Sequence, residues 1–146
     1  MNELTIERAS HIAESDVADI TNLIAALTSS KPHPADAELL QQIIDSPSHV
    51  LLLARLSGKV VGMATAALLL GPAAGRKMYL DDFVTDPTVQ GKGVGSRLWD
   101  AVIDWGREQG AQKLEFTSRP EREAAQRFYL KKGAVVRSTN AFAKQL

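Results

Sequence analysis

Three glycines within five positions mark the segment of this 146-residue chain whose residue types best suit binding chemistry. They belong to Gln90-Gly91-Lys92-Gly93-Val94-Gly95, the glycine loop, which follows the turn Asp86-Pro87 and immediately precedes a strongly periodic helical pattern. Glycines let a backbone approach a phosphate closely, and a helix N-terminus presents outward N–H groups and roughly half a positive charge. The glycine loop therefore predicts an anion site suited to a pyrophosphate.

Two familiar phosphate-binding patterns fit the glycine loop less well. The P-loop, with four residues between Gly and Gly-Lys-Ser/Thr, is not met. The dinucleotide pattern Gly-x-Gly-x-x-Gly is nearly met by Gly91, Gly93 and Ser96, and Glu115 lies about twenty residues further on, where a ribose partner is expected. However, residues 86–90 separate the strand from the first glycine, and three strands with tight turns precede the loop instead of a βαβ array. Nucleotide or NAD binding is therefore kept as an alternative.

A third pattern, Gln/Arg-x-x-Gly-x-Gly/Ala, is matched by Gln90, Gly93 and Gly95. It is the pyrophosphate-binding signature of GNAT acetyltransferases, and a second segment typical of that family, Ala125-x-x-Phe128-Tyr129-x-x-x-Gly133, follows at the expected distance. The chain resembles this family from end to end. The resemblance implies a single N-acetyltransferase domain over residues 1–146 that uses acetyl-CoA as co-substrate.

The resemblance also implies how acetyl-CoA is held. The pyrophosphate would contact the glycine loop, chiefly the N–H groups of its three glycines, and the residue after it: Gln90, Gly91, Lys92, Gly93, Val94, Gly95 and Ser96. The Lys92 side chain either adds positive charge there or lies in solvent as an ordinary loop lysine. Phe83 and Val84 would offer backbone groups to the pantetheine arm, which in this family lies beside that strand.

Acetyl transfer to an amine needs a neutral nitrogen, a polarised thioester carbonyl and a proton for the departing thiolate. The chain has no cysteine, which fits direct attack in a ternary complex and leaves serine as the alternative nucleophile. Tyr129 matches the tyrosine that family members place near the thioester sulfur, and a phenol is protonated at neutral pH. Tyr129 is thus the candidate general acid, and the alternative is a core tyrosine with a hydrogen-bonded hydroxyl.

Asp81 and Asp82 are adjacent on an otherwise apolar strand, where neighbours project to opposite faces. At least one must therefore point at the covered side of the sheet or a cleft, where an unpaired carboxylate is costly. The stretches 79–83 and 128–134 resemble diamine acetyltransferases, in which an acidic residue matching Asp81 serves the substrate amine. This makes Asp81 the candidate base, through water, or the candidate ammonium anchor. A structural strand aspartate is the alternative, and Asp82 is interpreted as structural.

Two positions depart from the family pattern and leave the CoA contacts of the last helix open. Arg122 stands where asparagine is usual, and Ala134 where phenylalanine usually follows the capping glycine. The acceptor implied by the resemblance is a primary amine of a small molecule. The alternatives are a protein or peptide amine, or a non-catalytic acyl-CoA-binding or regulatory domain that keeps the glycine loop without needing Tyr129.

Charge and composition narrow the partners. Seventeen basic and seventeen acidic residues balance, which predicts no nucleic-acid partner, and the isolated His11, His33 and His49 predict no metal site. Residues 1–10 lack the apolar run of a signal peptide, and the apolar-rich stretch 60–70 is too short to span a bilayer. We therefore expect a cytoplasmic protein without a membrane partner. The family resemblance implies a homodimer as a candidate assembly.

The periodicity of apolar residues predicts the elements that position these residues. The expected strands are Leu4–Arg8, Val50–Leu56, Val60–Leu70, Lys77–Thr85, Lys113–Ser118 and short pieces at Val135-Val136 and Phe142. The expected helices run from a cap at Asp16 to Ser29, over Ala35–Asp45, from Val94 to Gly110, and from a Ser118/Glu121 capping box to Lys132. This is a mixed α/β (α+β) class. The resemblance makes it a GNAT fold, with a mostly antiparallel twisted sheet of six to seven strands and about four helices.

Overall fold

The structure, a computed structural model, describes residues 3–146. Its strands are β1 (Leu4–Arg8), β2 (His49–Leu56), β3 (Lys59–Gly71), β4 (Gly75–Thr85) and β5 (Leu114–Glu115). Its helices are α1 (Glu14–Thr28), α2 (Ala37–Asp45), α3 (Val94–Glu108) and α4 (Glu123–Lys131), with a 3-10 turn at Pro87–Val89. The predicted mixed class and the three central strands are confirmed.

The chain groups into two compact units, one ending at Phe116 and the other spanning Thr117–Leu146. The first unit holds the whole sheet, in which the strands lie in chain order from β1 to β5. The first four strands pair antiparallel, whereas β5 pairs parallel with β4 after the α3 crossover. The predicted meander is therefore correct, and it ends in one βαβ unit.

The hairpin between β2 and β3 shows how the sequence sets the strand register. Only Ser57 and Gly58 separate the two strands, and both have positive φ, 54° and 79°. A two-residue turn with two positive φ values matches the right-handed twist of the flanking strands. The longer turn into β4 ends at Gly75, which also has positive φ.

The core of the first unit covers both faces of the sheet. On one face, α1 and α2 bury a cluster formed by Ile20, Leu23, Leu40, Leu51, Leu53, Val60, Met63 and Val84. On the other face, α3 buries Val94, Leu98, Trp99, Val102 and Trp105. Burying one such aliphatic side chain contributes roughly 1.5–3 kcal/mol, so this face of α3 fixes the helix whose N-terminus follows the glycine loop.

The starts of two helices differ from the prediction. Asp16 is not the N-cap residue of α1, because the helix begins at Glu14 with Ala13 as its N-cap; Asp16 is the third helical residue, and its carboxylate accepts a hydrogen bond from the N–H of Ala13 at 3.3 Å, as the third residue of a capping box does. The Ser118/Glu121 capping box is also wrong, since α4 begins at Glu123. Arg122 N–H bonds back to the Arg119 carbonyl in a separate turn, which uses the residues before α4.

The C-terminal strands are a further difference. Val135, Val136 and Phe142 lie outside any strand, and they are 79%, 86% and 92% exposed. The four polar residues 137–140 that follow the valines interrupt any alternation of apolar side chains, so nothing local favours a strand. The strand predicted at Lys113–Ser118 shrinks to the two residues of β5, giving five strands in the described chain. Among residues 3–146, no helix combines the length and hydrophobicity needed to cross a membrane.

Candidate functional site

The glycine loop leaves β4 through the 3-10 turn and ends at the start of α3. Gly91 and Gly93 have φ values of 83° and 78°, in the left-handed region, and Gly93 is the N-cap of α3. Apart from each glycine and its two chain neighbours, no residue places a heavy atom within 4 Å of a Cβ built on Gly91 or Gly93. The backbone conformation, rather than crowding, therefore requires glycine here, and it leaves open space above the loop.

Backbone donors converge at this point. The first hydrogen bond of α3 runs from Arg97 N–H to the Gly93 carbonyl at 3.1 Å. The N–H groups of Val94, Gly95 and Ser96 precede it, in the first turn, where a helix supplies no i−4 partner. This geometry suits a bound anion, and the residues of the predicted pyrophosphate site therefore fit such a group. Lys92 is exposed beside them.

The turn before the glycine loop is held by its own polar contacts. Asp86 Oδ1 accepts hydrogen bonds from the Thr88 N–H at 2.9 Å and the Thr88 hydroxyl at 2.8 Å. These bonds, the backbone one first, lower the pKa of Asp86. Asp86 therefore fixes where the glycine loop begins.

The strands β4 and β5 pair over two positions only, Met78 with Leu114 and Tyr79 with Glu115. The rest of β4, from Leu80 to Thr85, continues beyond this register. Trp99 of α3 lies beneath this region: its ring makes edge-to-face contacts with Phe83 and with Phe116, both with centroids 6.0 Å apart. Phe83 and Val84, the residues expected beside the pantetheine arm, therefore lie on the part of β4 past the paired register.

An ion pair joins the two strands where they do pair. The Glu115 carboxylate, 12% exposed, lies 2.8 Å from the Lys77 ammonium and 3.5 Å from that of Lys113. From the sequence, Glu115 is predicted only as a candidate ribose partner. Its engagement with two lysines and the antiparallel meander before the loop both disfavour the dinucleotide alternative. The parallel pairing that brings Lys77 to Glu115 was not foreseen, because two residues give too little pattern to predict a strand partner.

The two strand aspartates occupy different environments. Asp81 is exposed and has no partner residue on β3, since Thr65 pairs with Asp82 and Ala66 pairs with Leu80. Asp82 is partly buried, and its Oδ2 accepts a hydrogen bond from the Thr65 hydroxyl at 2.5 Å. Burial raises the pKa of Asp82, the Thr65 bond opposes this, and the charge of Asp81 adds to it. Asp82 is thus the aspartate on the covered side, and Thr65 is a polar partner that sequence reasoning missed.

Tyr129 lies in the second unit, on α4. Its ring meets that of Phe128 edge-to-face, with centroids 5.8 Å apart and planes at 71°. Burial raises the pKa of the Tyr129 phenol above its ordinary value, and the charge of Arg122 partly opposes this. The phenol therefore keeps its proton at neutral pH, as a general acid requires.

A cavity of about 160 Å³ lies between α1 and the start of β3. Leu23 and Val60 form its apolar part, whereas Asp19, Lys59 and Asp86 supply charge at its walls. The Asp19 carboxylate accepts a hydrogen bond from the N–H of Val60 at 3.0 Å. The cavity therefore adjoins the turn that leads into the glycine loop. In the described part of the chain, no group of three or more acidic or histidine side chains could hold a metal ion.

Comparison with known proteins assigns the family. The model of the Acetyltransferase (GNAT) family matches residues 17–134, a range that covers most of both units. The chain therefore belongs to the Acetyltransferase (GNAT) family, and the resemblance on which the glycine loop was interpreted is confirmed.

Individual relatives agree with this assignment. The aminoglycoside N(6')-acetyltransferase type 1 of Stenotrophomonas maltophilia is 33% identical over 88 residues, 58% of this chain and 58% of that protein. The match thus spans less than two thirds of that relative's length.

Solved structures confirm the fold. An aminoglycoside acetyltransferase from an uncultured soil metagenomic sample, in complex with sisomicin, has a TM-score of 0.81 at 23% identity, over 98% of this chain and 96% of that one. The aminoglycoside N-acetyltransferase AAC(6')-Iy, in complex with CoA, has a TM-score of 0.79 at 20% identity, over 99% and 96%. The chain therefore has the GNAT fold, with a short β5 and without the predicted C-terminal strands in the described residues.

Proposed function

We propose that this protein is an acetyl-CoA-dependent N-acetyltransferase that acts on a primary amine of a small molecule. The observation that carries the proposal is the glycine loop, in which two left-handed glycines lead into the donor-rich first turn of α3 in a chain of the GNAT family. The CoA-bound relative with the same fold supports acetyl-CoA as the ligand of this loop.

The glycine loop and Ser96 would bind the pyrophosphate, with Lys92 adding charge at its exposed edge. The backbone of Phe83 and Val84 would align the pantetheine arm where β4 continues past its two-residue pairing with β5. Because Trp99 buttresses Phe83 from α3, this part of β4 is supported on the helix side.

In the reaction, the amine nitrogen forms a bond to the thioester carbonyl carbon, and the bond from that carbon to sulfur breaks. The nitrogen loses one proton, and the CoA thiolate takes one up. We assign the proton that the CoA thiolate takes up to the Tyr129 hydroxyl, because the raised pKa of Tyr129 keeps the phenol protonated. Asp81 would hold the amine as its ammonium form or accept its proton through water.

The acceptor proposed first is an aminoglycoside-like polyamine. This choice rests on a relative named an aminoglycoside N(6')-acetyltransferase and on the sisomicin-bound structure of the same fold. The exposed carboxylate of Asp81 is suited to an ammonium group, since opposite charges attract. A peptide amine is the second candidate acceptor.

The test is acetyl-CoA thiol release by the purified protein with sisomicin, spermidine and a peptide with N-terminal alanine. We expect saturable release above background hydrolysis with sisomicin, and a mass increase of one acetyl group on the product. If acetyl-CoA binds but no amine raises thiol release, the chain is an acyl-CoA-binding domain instead. If NAD, and not CoA, raises the melting temperature, the dinucleotide interpretation replaces both.

A cytoplasmic location and a homodimer complete the proposal. The location is supported by the sequence composition and the dimer by the family resemblance, and light scattering of the purified protein tests the dimer directly. A mass of one chain at micromolar concentration would rule the dimer out.

A further inference from the structure

The side chains of β4 do not alternate regularly between the two faces of the sheet at Asp81. Before it, Met78 points toward α3, where a Cβ built on Gly106 would lie 2.4 Å from the Met78 Cε. After it, Phe83 is the residue that contacts Trp99 of α3, while Val84 packs in the cluster under α1. Because Met78 and Phe83 are separated by an odd number of positions, simple alternation fails between them. One extra residue has been inserted.

That extra residue is Asp81. Thr65 faces Asp82 and Ala66 faces Leu80, so two consecutive β3 residues span three residues of β4, which is a β-bulge. A bulge leaves its extra residue out of the ladder and re-aims its side chain, and Asp81 is exposed. The loss of ladder bonds must be offset by contacts that exist only in the bulged register.

Thr65 provides such a contact. It is 6% exposed on a β3 strand that is otherwise apolar in this part, and its hydroxyl donates to Asp82 Oδ2. The bond joins the residue pair directly beside the bulge. Slipping β4 by one residue would place Asp81 opposite Thr65, remove Phe83 from Trp99 and separate Asp82 from its donor.

We propose that Thr65 and Asp82 are positioning residues, whose hydrogen bond holds the bulge of β4 and thereby presents Asp81 to the acceptor amine. The inference rests on the proposed function for the role of Asp81. Asp82 is needed as a hydrogen-bond acceptor and not as a charge, because its partner is a neutral hydroxyl. Asp82→Asn, whose amide oxygen can still accept that bond, therefore retains amine recognition.

The kinetic test compares Thr65→Val, Thr65→Ser, Asp81→Asn and the double variant Thr65→Val/Asp81→Asn, using the best acceptor of the amine panel. We expect Thr65→Val to raise the KM for the amine about tenfold, equivalent to about 1.4 kcal/mol, and to raise the KM for acetyl-CoA less, because the pantetheine arm would contact the backbone of Phe83 and Val84 and not the Asp81 side chain. Thr65→Ser restores the wild-type value. The double variant is no worse than Asp81→Asn alone, because both changes remove the same interaction.

Thr21→Val is the matched control. Thr21 on α1 also has a partly buried hydroxyl, which donates to the Val17 carbonyl at 2.7 Å and accepts from Ala35 N–H at 3.0 Å. Its loss removes hydrogen bonds elsewhere in the same unit, so it should lower stability without changing the KM for the amine. An equal rise of the KM for the amine in Thr21→Val and Thr65→Val would indicate general destabilisation and would contradict the proposal.

Hydrogen exchange gives a readout that does not depend on the acceptor. In Thr65→Val, amides of residues 79–85 should exchange at least several-fold faster than in the wild type, and Thr21→Val should leave them unchanged. Unchanged exchange in Thr65→Val would contradict the proposal that the Thr65–Asp82 hydrogen bond holds the bulge. Additive effects of Thr65→Val and Asp81→Asn on the KM for the amine would contradict it as well. If Asp82→Asn loses amine binding while Thr65→Val leaves the KM for the amine unchanged, the charge of Asp82 itself recognises the amine. If neither the wild type nor any variant transfers acetyl, the proposed function is wrong. Hydrogen exchange then still tests whether the Thr65–Asp82 hydrogen bond holds the bulge.

Discussion

The guanidinium group of Arg55 on β2 holds the carboxylate of Asp16 on α1 through two parallel hydrogen bonds of 2.8 and 2.9 Å. Its Nε also donates to Glu7 of β1 at 2.8 Å. Asp16 is buried and Arg55 is partly exposed, and the contacts of Arg55 with Asp16 and Glu7 join α1, β1 and β2 of the first unit. Bidentate geometry of this kind is the strong form of an ion pair.

Asp16→Asn should destabilise the protein markedly. The change keeps the shape of the side chain but removes the charge that pairs with Arg55; because Arg55 is partly exposed and keeps Glu7 as a partner, the loss should be about 1.5–3 kcal/mol, the usual range for a hydrogen bond to a charged group. Urea unfolding followed by circular dichroism measures the loss. Glu108→Gln is the control: Glu108 pairs with Arg8 at 2.8 Å, but both side chains are about half exposed, so little change is expected. Equal losses of unfolding free energy in Asp16→Asn and Glu108→Gln would contradict a larger contribution from the Asp16–Arg55 pair.

The pH dependence of stability should carry the signature of Asp16. The hydrogen bonds from Arg55 lower the pKa of Asp16 in the folded state below its unfolded value of about 3.9. Its contribution is therefore complete above the unfolded pKa and is lost as the pH falls through the folded pKa. In Asp16→Asn, the decline of the free energy of unfolding below about pH 4 should be shallower. A decline as steep as in the wild type would assign acid unfolding to other carboxylates.

Asp82 should act in the opposite direction. Burial raises its folded pKa, so its contribution to stability is complete below the unfolded pKa and is lost as the pH rises through the folded pKa. Asp82→Asn should therefore gain stability relative to the wild type as the pH rises above the ordinary carboxyl pKa of about 3.9 toward neutrality. Parallel urea titrations of the two proteins measure the difference, and a constant difference over this range would contradict it.

Local patterns predicted the elements that carry the proposed acetyl-CoA site. The apolar spacing of α3, the glycines before it and the two turns of the meander are encoded over a few residues each, and the structure has them where expected. The end of α3 is also correct, since Gly110 has the expected left-handed φ of 78°. The family motif then named the ligand class, which no periodicity could have done.

Contacts between distant residues explain what the sequence did not reveal. Asp16 resembles a helix cap, but its partner is Arg55, 39 positions away. The bulge at Asp81 is visible only in the pairing of β4 with β3, where Thr65 faces Asp82 and Ala66 faces Leu80, so alternation along β4 alone could not reveal it. The valines at 135 and 136 look like a strand, but a strand also needs a partner edge, which two adjacent apolar residues do not specify.

Gly93→Ala should separate the ligand role of the glycine loop from its folding role. Gly93 and Gly58 have nearly the same φ, 78° and 79°, and open space around an added Cβ. Each substitution to alanine should therefore cost about 1 kcal/mol from backbone strain. Only Gly93→Ala should also weaken CoA binding in calorimetry, by about tenfold or more, because it distorts the first donors of α3. If both variants bind CoA like the wild type, the loop does not hold the pyrophosphate.

Asp81→Asn should impair the acceptor and spare the donor. Removing an exposed charge that anchors an ammonium raises the KM for the amine, by roughly tenfold for a loss of about 1.4 kcal/mol, while CoA affinity stays the same. Asp100→Asn on α3, also exposed, is the control and should change neither constant. An unchanged KM for every accepted amine would make Asp81 structural.

Tyr129→Phe should lower turnover far more than it lowers acetyl-CoA affinity. The hydroxyl is required when the thiolate departs and not when the donor docks, so kcat should fall by about 100-fold or more, the usual contribution of a general acid. Tyr79→Phe, on β4, removes a hydroxyl from a residue that is not the proposed acid and should retain most of the activity. Since burial raises the pKa of Tyr129, the wild-type kcat should hold up to at least about pH 10 before the phenol ionises. An activity in Tyr129→Phe equal to that of Tyr79→Phe would show that another group, or water, protonates the thiolate.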